Sequence, residues 1–143
     1  MSYLDDNMCR EIIMDHISTP RNKNKKHDGY LEYTLKNPSC GDIVTVYIDY
    51  QNNIVNDITY NVEGCSICTS STSIMSDLLK AKTKEEIEMI INNFNNMLIG
   101  EKYSEELLNE ASALRGVYNT PPRIKCAALP YKAVEEIIGD NNG

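Results

Sequence analysis

Residues 43–62 read IVTVYIDYQNNIVNDITYNV. Both halves are rich in β-branched and aromatic residues, which suit a pleated, half-buried surface. Between them stands Gln51-Asn52-Asn53, a short polar turn of the kind that joins antiparallel strands. The stretch therefore predicts a β-hairpin. Upstream, residues 30–36 alternate weakly and supply a third strand. Downstream, strand character stops at Glu63-Gly64-Cys65, and Ile67, Ile74, Met75, Leu78 and Leu79 take up helical spacing as far as Lys80.

The flanks complete the outline. Residues 3–17 carry Leu4, Met8, Ile12 and Ile13 near helical spacing, and Pro20 follows as a stop. Thr83 and Glu86 have the spacing of a capping box, and Ile87, Ile90, Ile91, Phe94 and Leu98 fall on one helical face ahead of Gly100. Residues 101–118 are polar and acidic, with one short helix expected near 104–109, and Pro121-Pro122 should break whatever precedes it. A last helix runs to Ile138 with Ala133, Val134 and Ile137 on its apolar face, and the chain from Gly139 onward should fray. Pro130 helps place the start of that helix. In a helix interior a proline costs about 3 kcal/mol or more, whereas in the first turn its missing N–H costs nothing. The helix is thus expected to begin between Cys126 and Leu129, with Cys126 at its N-terminus. The expected fold is α+β, a small antiparallel three-stranded sheet packed against several helices, in one domain over residues 1–143.

Composition narrows the function. Of 143 residues, 41% are hydrophobic and 24% charged, as in an ordinary soluble domain. The net charge of -7 repels phosphate backbones, so nucleic acid and anionic membranes are poor partners. No apolar run approaches the length needed to span a bilayer. The opening MSYLDDNMCREII lacks a basic, then apolar, leader, so the expected compartment is the cytoplasm. The one strongly basic run, RNKNKKHDG over residues 21–29, reads equally as a solvated loop or as a docking patch for an acidic partner.

The five cysteines differ in setting. A reducing compartment favours metal or thiol chemistry over a disulfide framework. Cys40 lies in a turn before a strand, Cys65 lies between strand and helix, and Cys126 lies at the expected start of the last helix. Loops at element ends are where ligands are presented. Gly41 allows a tight bend between Cys40 and Asp42, so both side chains can face one centre. Three thiolates and a carboxylate make four ligands, the number tetrahedral zinc prefers. Helix N-termini beside Cys65 and Cys126 would favour thiolate forms. Spacing alone leaves two alternatives open. Cys65 and Cys68 form a CxxC that could be a redox pair, and the cysteines could all be buried structural residues. Cys9 sits beside the apolar stripe of the first helix and reads as structural.

Four segments carry a resemblance. NPSCGD (37–42), EGCSICTSSTSIMSD (63–77), RIKCAAL (123–129) and MDHISTPRN (14–22) resemble, in order, the signature segments of the U-type iron–sulfur cluster assembly proteins, the IscU/SufU/NifU N-terminal family. The scaffold branch has a histidine immediately before the last cysteine, where this chain has Lys125, whose ammonium has no lone pair for a metal. That lysine, and the extra residues near 100–121, look like the SufU branch. The resemblance implies that Cys40, Asp42, Cys65 and Cys126 ligate Zn²⁺. It also implies that Cys40 accepts sulfur from the persulfide of a SufS-type cysteine desulfurase, after a desulfurase histidine has replaced it on zinc. Downstream iron–sulfur assembly proteins would be further partners. Arg123 and Lys125 flank Cys126 and could support the anionic site. An iron–sulfur scaffold on the same cysteines, and a zinc-stabilised interaction module without sulfur chemistry, are the alternative functions. Cys68 is not a family ligand and reads as structural, and His16 reads as a packing or docking residue.

Overall fold

In a computed structural model, residues 4–23 and 27–140 are described. The chain runs α1 (Asp6–Ser18), β1 (Leu31–Asn37), β2 (Asp42–Gln51), β3 (Ile54–Glu63), α2 (Ser66–Leu78), α3 (Lys84–Leu98), α4 (Glu105–Leu108), a 3₁₀ segment (Asn109–Asn119) and α5 (Pro121–Asp140). The expected α+β layout holds. The sheet is antiparallel in the order β1-β2-β3. Gln51 pairs with Ile54, so the connecting turn is Asn52-Asn53, at φ 54° and 65°. Two left-handed residues make the turn whose twist matches a hairpin, and asparagine tolerates that region. The basic run falls partly outside the described residues, at 24–26, as does the chain before residue 4.

Alternation along β2 buries Val44, Val46 and Ile48 in the core, joined by Val55, Ile58 and Tyr60 from β3. Asp5 caps α1 by accepting from the Met8 N–H at 2.8 Å. The capping box of α3 forms as predicted, with Thr83 and Glu86 each accepting from the other's backbone N–H. Helix α2 is lined with small polar residues, Ser70 to Ser73 and Ser76, all buried. They let α5 approach closely: the Ser71 hydroxyl donates to the Ala127 carbonyl at 2.6 Å. His16 is buried between three elements, with Nδ1 2.7 Å from the Ser73 hydroxyl and Nε2 3.2 Å from Glu110. It is thus the packing residue expected.

Three expectations are corrected. Helix α5 begins at Pro121 rather than between Cys126 and Leu129, and Pro130 lies inside it. The Pro121-Pro122 pair occupies the first turn, where absent N–H groups cost nothing. Pro130 does forfeit its bond to the Cys126 carbonyl. Burial of Leu129, Tyr131, Val134, Ile137 and Ile138 on the same helix, each contributing roughly 1.5–3 kcal/mol, outweighs that local loss. Cys126 therefore sits well inside α5, not at its N-terminus. The polar reading of residues 101–118 also fails. Besides the short helix α4, the region contains a long 3₁₀ segment that buries Ala111, Ala113, Leu114 and Val117. Ala111, Leu114 and Val117 recur every third residue, and three residues per turn is the 3₁₀ period. Finally, α5 runs on through Asp140, past the expected limit at Gly139; the rest of the tail expected to fray, 141–143, lies outside the described residues.

Candidate metal centre

Strand pairing brings the chemistry to one end of the sheet. Asn37 pairs with Asp42 and Ile43 pairs with Glu63, so the β1–β2 turn and the exit from β3 lie side by side. Within that turn the Cys40 and Gly41 N–H groups both donate to the Asn37 carbonyl, at 3.2 and 2.8 Å. Gly41 takes φ +74°, a left-handed conformation natural to glycine. This is the tight bend predicted between Cys40 and Asp42. Across from it α5 packs on α2, β1 and β2 and presents Cys126.

The Cys40 and Cys126 sulfurs and an Asp42 carboxylate oxygen all lie within 4.8 Å of one another. Cys40 is exposed, whereas Asp42 and Cys126 are buried. Cys65 borders the group without lying within that distance of all three. It caps α2 instead, its sulfur accepting from the Cys68 N–H at 3.5 Å. Its own N–H donates to Asp42 Oδ1 at 2.9 Å. The other carboxylate oxygen, Asp42 Oδ2, is buried with no hydrogen-bond partner. Leaving such a group unsatisfied is costly, and a cation is the partner that a buried carboxylate between thiols lacks.

Gly64 makes room for that carboxylate. A Cβ at Gly64 would stand 2.2 Å from Asp42 Oδ1 and 2.9 Å from its Cγ. The spacing argument passed over this residue, and it passed over Asn37. Asn37 is 4% exposed; its Oδ1 accepts from the Ser39 N–H at 3.3 Å and its Nδ2 donates to Cys126 Sγ at 3.7 Å. An Asn-Pro beside a cysteine could have flagged the turn, but not the reach to α5.

Burial is the first cause that pushes the Cys126 thiol well up, followed by the Asp42, Cys40 and Cys65 side chains. Four acidic side chains thus crowd one small volume. Arg123 answers part of that charge: the Cys65 sulfur, and hydrogen bonds to Cys126 and Cys65, raise its guanidinium. It lies three residues before Cys126, on the same helical face. Lys125 is exposed on the neighbouring face. Cys68 is fully buried, and desolvation pushes its thiol to about 12, which suits an inert core thiol. Cys9 is buried and raised for the same reason.

The donor set fits a metal ion. Thiolates are soft ligands that suit zinc or iron–sulfur clusters, and one carboxylate among them is compatible with zinc. Cys40, Asp42 and Cys126 would hold such an ion, with Cys65 adjacent.

The family model for the NifU-like N terminal domain matches residues 8–138. The zinc-dependent sulfurtransferase SufU of Bacillus subtilis is 36% identical over 139 residues, covering 96% of this chain and 94% of that one. The iron–sulfur cluster assembly scaffold protein IscU of Streptococcus pyogenes is 34% identical over 128 residues, with coverage of 89% and 80%. A crystal structure of a putative iron–sulfur cluster assembly scaffold protein for the SUF system, from Fervidobacterium islandicum, superposes with a TM-score of 0.78 at 32% identity. That match covers 90% of this chain and 94% of the other. Among the described residues, no helix is long and apolar enough to cross a membrane.

Proposed function

The chain belongs to the NifU-like N-terminal domain family, and we propose that it is a zinc-dependent sulfur acceptor, acting as a single SufU/IscU-like domain in the cytoplasm. In this reading it takes persulfide sulfur from a SufS-type cysteine desulfurase and passes it toward iron–sulfur cluster assembly. The observation that carries the reading is the unequal exposure of one cluster: Cys40 faces solvent while its neighbours Asp42 and Cys126 are buried. Cys40, Asp42, Cys65 and Cys126 are the proposed zinc ligands. Bound zinc would keep its thiols deprotonated and shield them from oxidation.

The steps assigned to this chain are simple. The exposed Cys40 thiolate attacks the terminal sulfur of the partner's persulfide. A new S–S bond forms on Cys40, the partner's S–S bond breaks, and the partner leaves as a thiolate. Cys126 and Asp42 are too buried to meet a macromolecular partner, so they hold and Cys40 transfers. Arg123 places a positive charge beside the anionic sulfurs, favouring the thiolate.

The test uses a cysteine desulfurase charged from radiolabelled cysteine. Label should move to the wild-type chain and not to Cys40→Ser. If Cys40→Ser takes up label as well as wild type, the proposal fails. A second reading, a scaffold for a nascent cluster, is supported by the same thiol set and by the scaffold name of the Streptococcus pyogenes relative. Purified protein separates the two: colourless with zinc supports the acceptor, brown with iron and sulfide supports the scaffold.

A further inference from the structure

We infer that Asn37 is a positioning residue of this centre: its carboxamide ties the Cys40 loop to Cys126, making Cys126 the sulfur that stays and Cys40 the one that can leave. The inference rests on the zinc reading above. Asn37 commits both ends of its carboxamide and its main-chain carbonyl to this task. Its Oδ1 accepts from Ser39, its main-chain carbonyl accepts from Cys40 and Gly41, and its Nδ2 reaches across to Cys126 Sγ. It pairs in the sheet with Asp42. One buried residue thus touches the turn that carries Cys40, the strand position of Asp42, and the sulfur on α5.

The two sulfurs are treated differently. As thiols, both donate to the Pro122 carbonyl, Cys126 at 3.8 Å and Cys40 at 4.0 Å. Neither bond survives deprotonation, because a thiolate has no proton to give. The Asn37 N–H does survive, and it serves Cys126. An N–H donor fixes the orientation of a thiolate and, by sharing its charge, makes it less nucleophilic toward a partner. Cys126 is therefore the damped, fixed ligand on a long helix, and Cys40 is the undamped sulfur on a turn. An aspartate in this place would set a carboxylate against the thiolate.

The experiment measures zinc affinity by chelator competition for wild type, Asn37→Asp and Asn37→Ser. Asn37→Asp keeps the size and the acceptor for Ser39 but loses the donor, and Asn37→Ser loses the donor without adding charge. Affinity should fall about 10–100-fold, more in Asn37→Asp. In cobalt-substituted Asn37→Ser the sulfur-to-cobalt charge-transfer band should move to lower energy, which a merely loosened fold would not cause. Under maleimide labelling, Cys126 should lag far behind Cys40 in wild type and catch up in both variants. If Asn37→Asp does not fold, Asn37→Ser decides. Variants that fold with unchanged affinity, cobalt spectrum and labelling order overturn the role of Asn37 alone. A wild-type protein that takes up no zinc overturns the zinc reading and this inference together.

Discussion

Gly64→Ala tests the site's construction most sharply. The added methyl would sit 2.2 Å from Asp42 Oδ1 and 3.1 Å from its Cβ. Asp42 cannot swing outward, because it is fully buried and its backbone is held in register with Asn37. Its carboxylate must give up the Cys65 N–H bond, and a hydrogen bond to a charged group contributes about 1.5–3 kcal/mol. Overpacking adds roughly 1–3 kcal/mol. Taking about 3 kcal/mol as a low sum, the expected loss in Tm for a chain of this length is about 10 °C. Gly41→Ala is the control: it meets no atom within 4 Å and suffers only its φ of +74°, about 1–2 kcal/mol. Thermal unfolding of the metal-free proteins by circular dichroism compares them. A Gly64→Ala protein as stable as wild type, or more stable than Gly41→Ala, would refute the claim that Gly64 exists to admit the carboxylate.

Two further outcomes follow from the core. Tyr131→Phe removes a fully buried hydroxyl that has no hydrogen-bond partner and leaves the ring stacked on Phe94 at 4.1 Å; Tm should hold or rise, and a fall beyond about 3 °C, roughly 1 kcal/mol, would count against the packing described. Cys68 should make the metal-free protein alkali-sensitive. Its folded thiol is raised from 9.0 to about 12, so the unfolded chain ionises first, and stability intact below pH 9 should fall by up to about 1.4 kcal/mol per pH unit as pH rises toward 12. Denaturant titrations at pH 8 and pH 11 should show a smaller difference in Cys68→Ala than in wild type, and an equal difference would contradict the assignment.

Much of this was legible in the chain. The hairpin over 43–62 declared itself because β-branched residues and an Asn-Asn turn agree, and the Thr83–Glu86 box did so because its reciprocal bonds are local. Long-range facts were not legible. Pro130 misplaced the start of α5 because the burial that overrides it comes from α2 and the sheet. The 3₁₀ segment hid behind a polar composition, and only the three-residue spacing of Ala111, Leu114 and Val117 betrays it. Cys40, Asp42 and Cys65 could be named from the ends of their strands and from the resemblance, whereas Cys126 could be named from the resemblance alone, because its expected place at a helix start was wrong. Asn37 and Gly64 could not, since each matters through an atom from a distant stretch: Cys126 Sγ in one case, Asp42 Oδ1 in the other.

The most direct measurement is metal analysis of the purified protein joined to X-ray absorption at the zinc edge. The account predicts one zinc per chain, bound by three sulfurs and one oxygen, with one sulfur lost in Cys40→Ser, Cys65→Ser or Cys126→Ser. A protein holding no zinc, or holding it with its coordination unchanged in those variants, would contradict it.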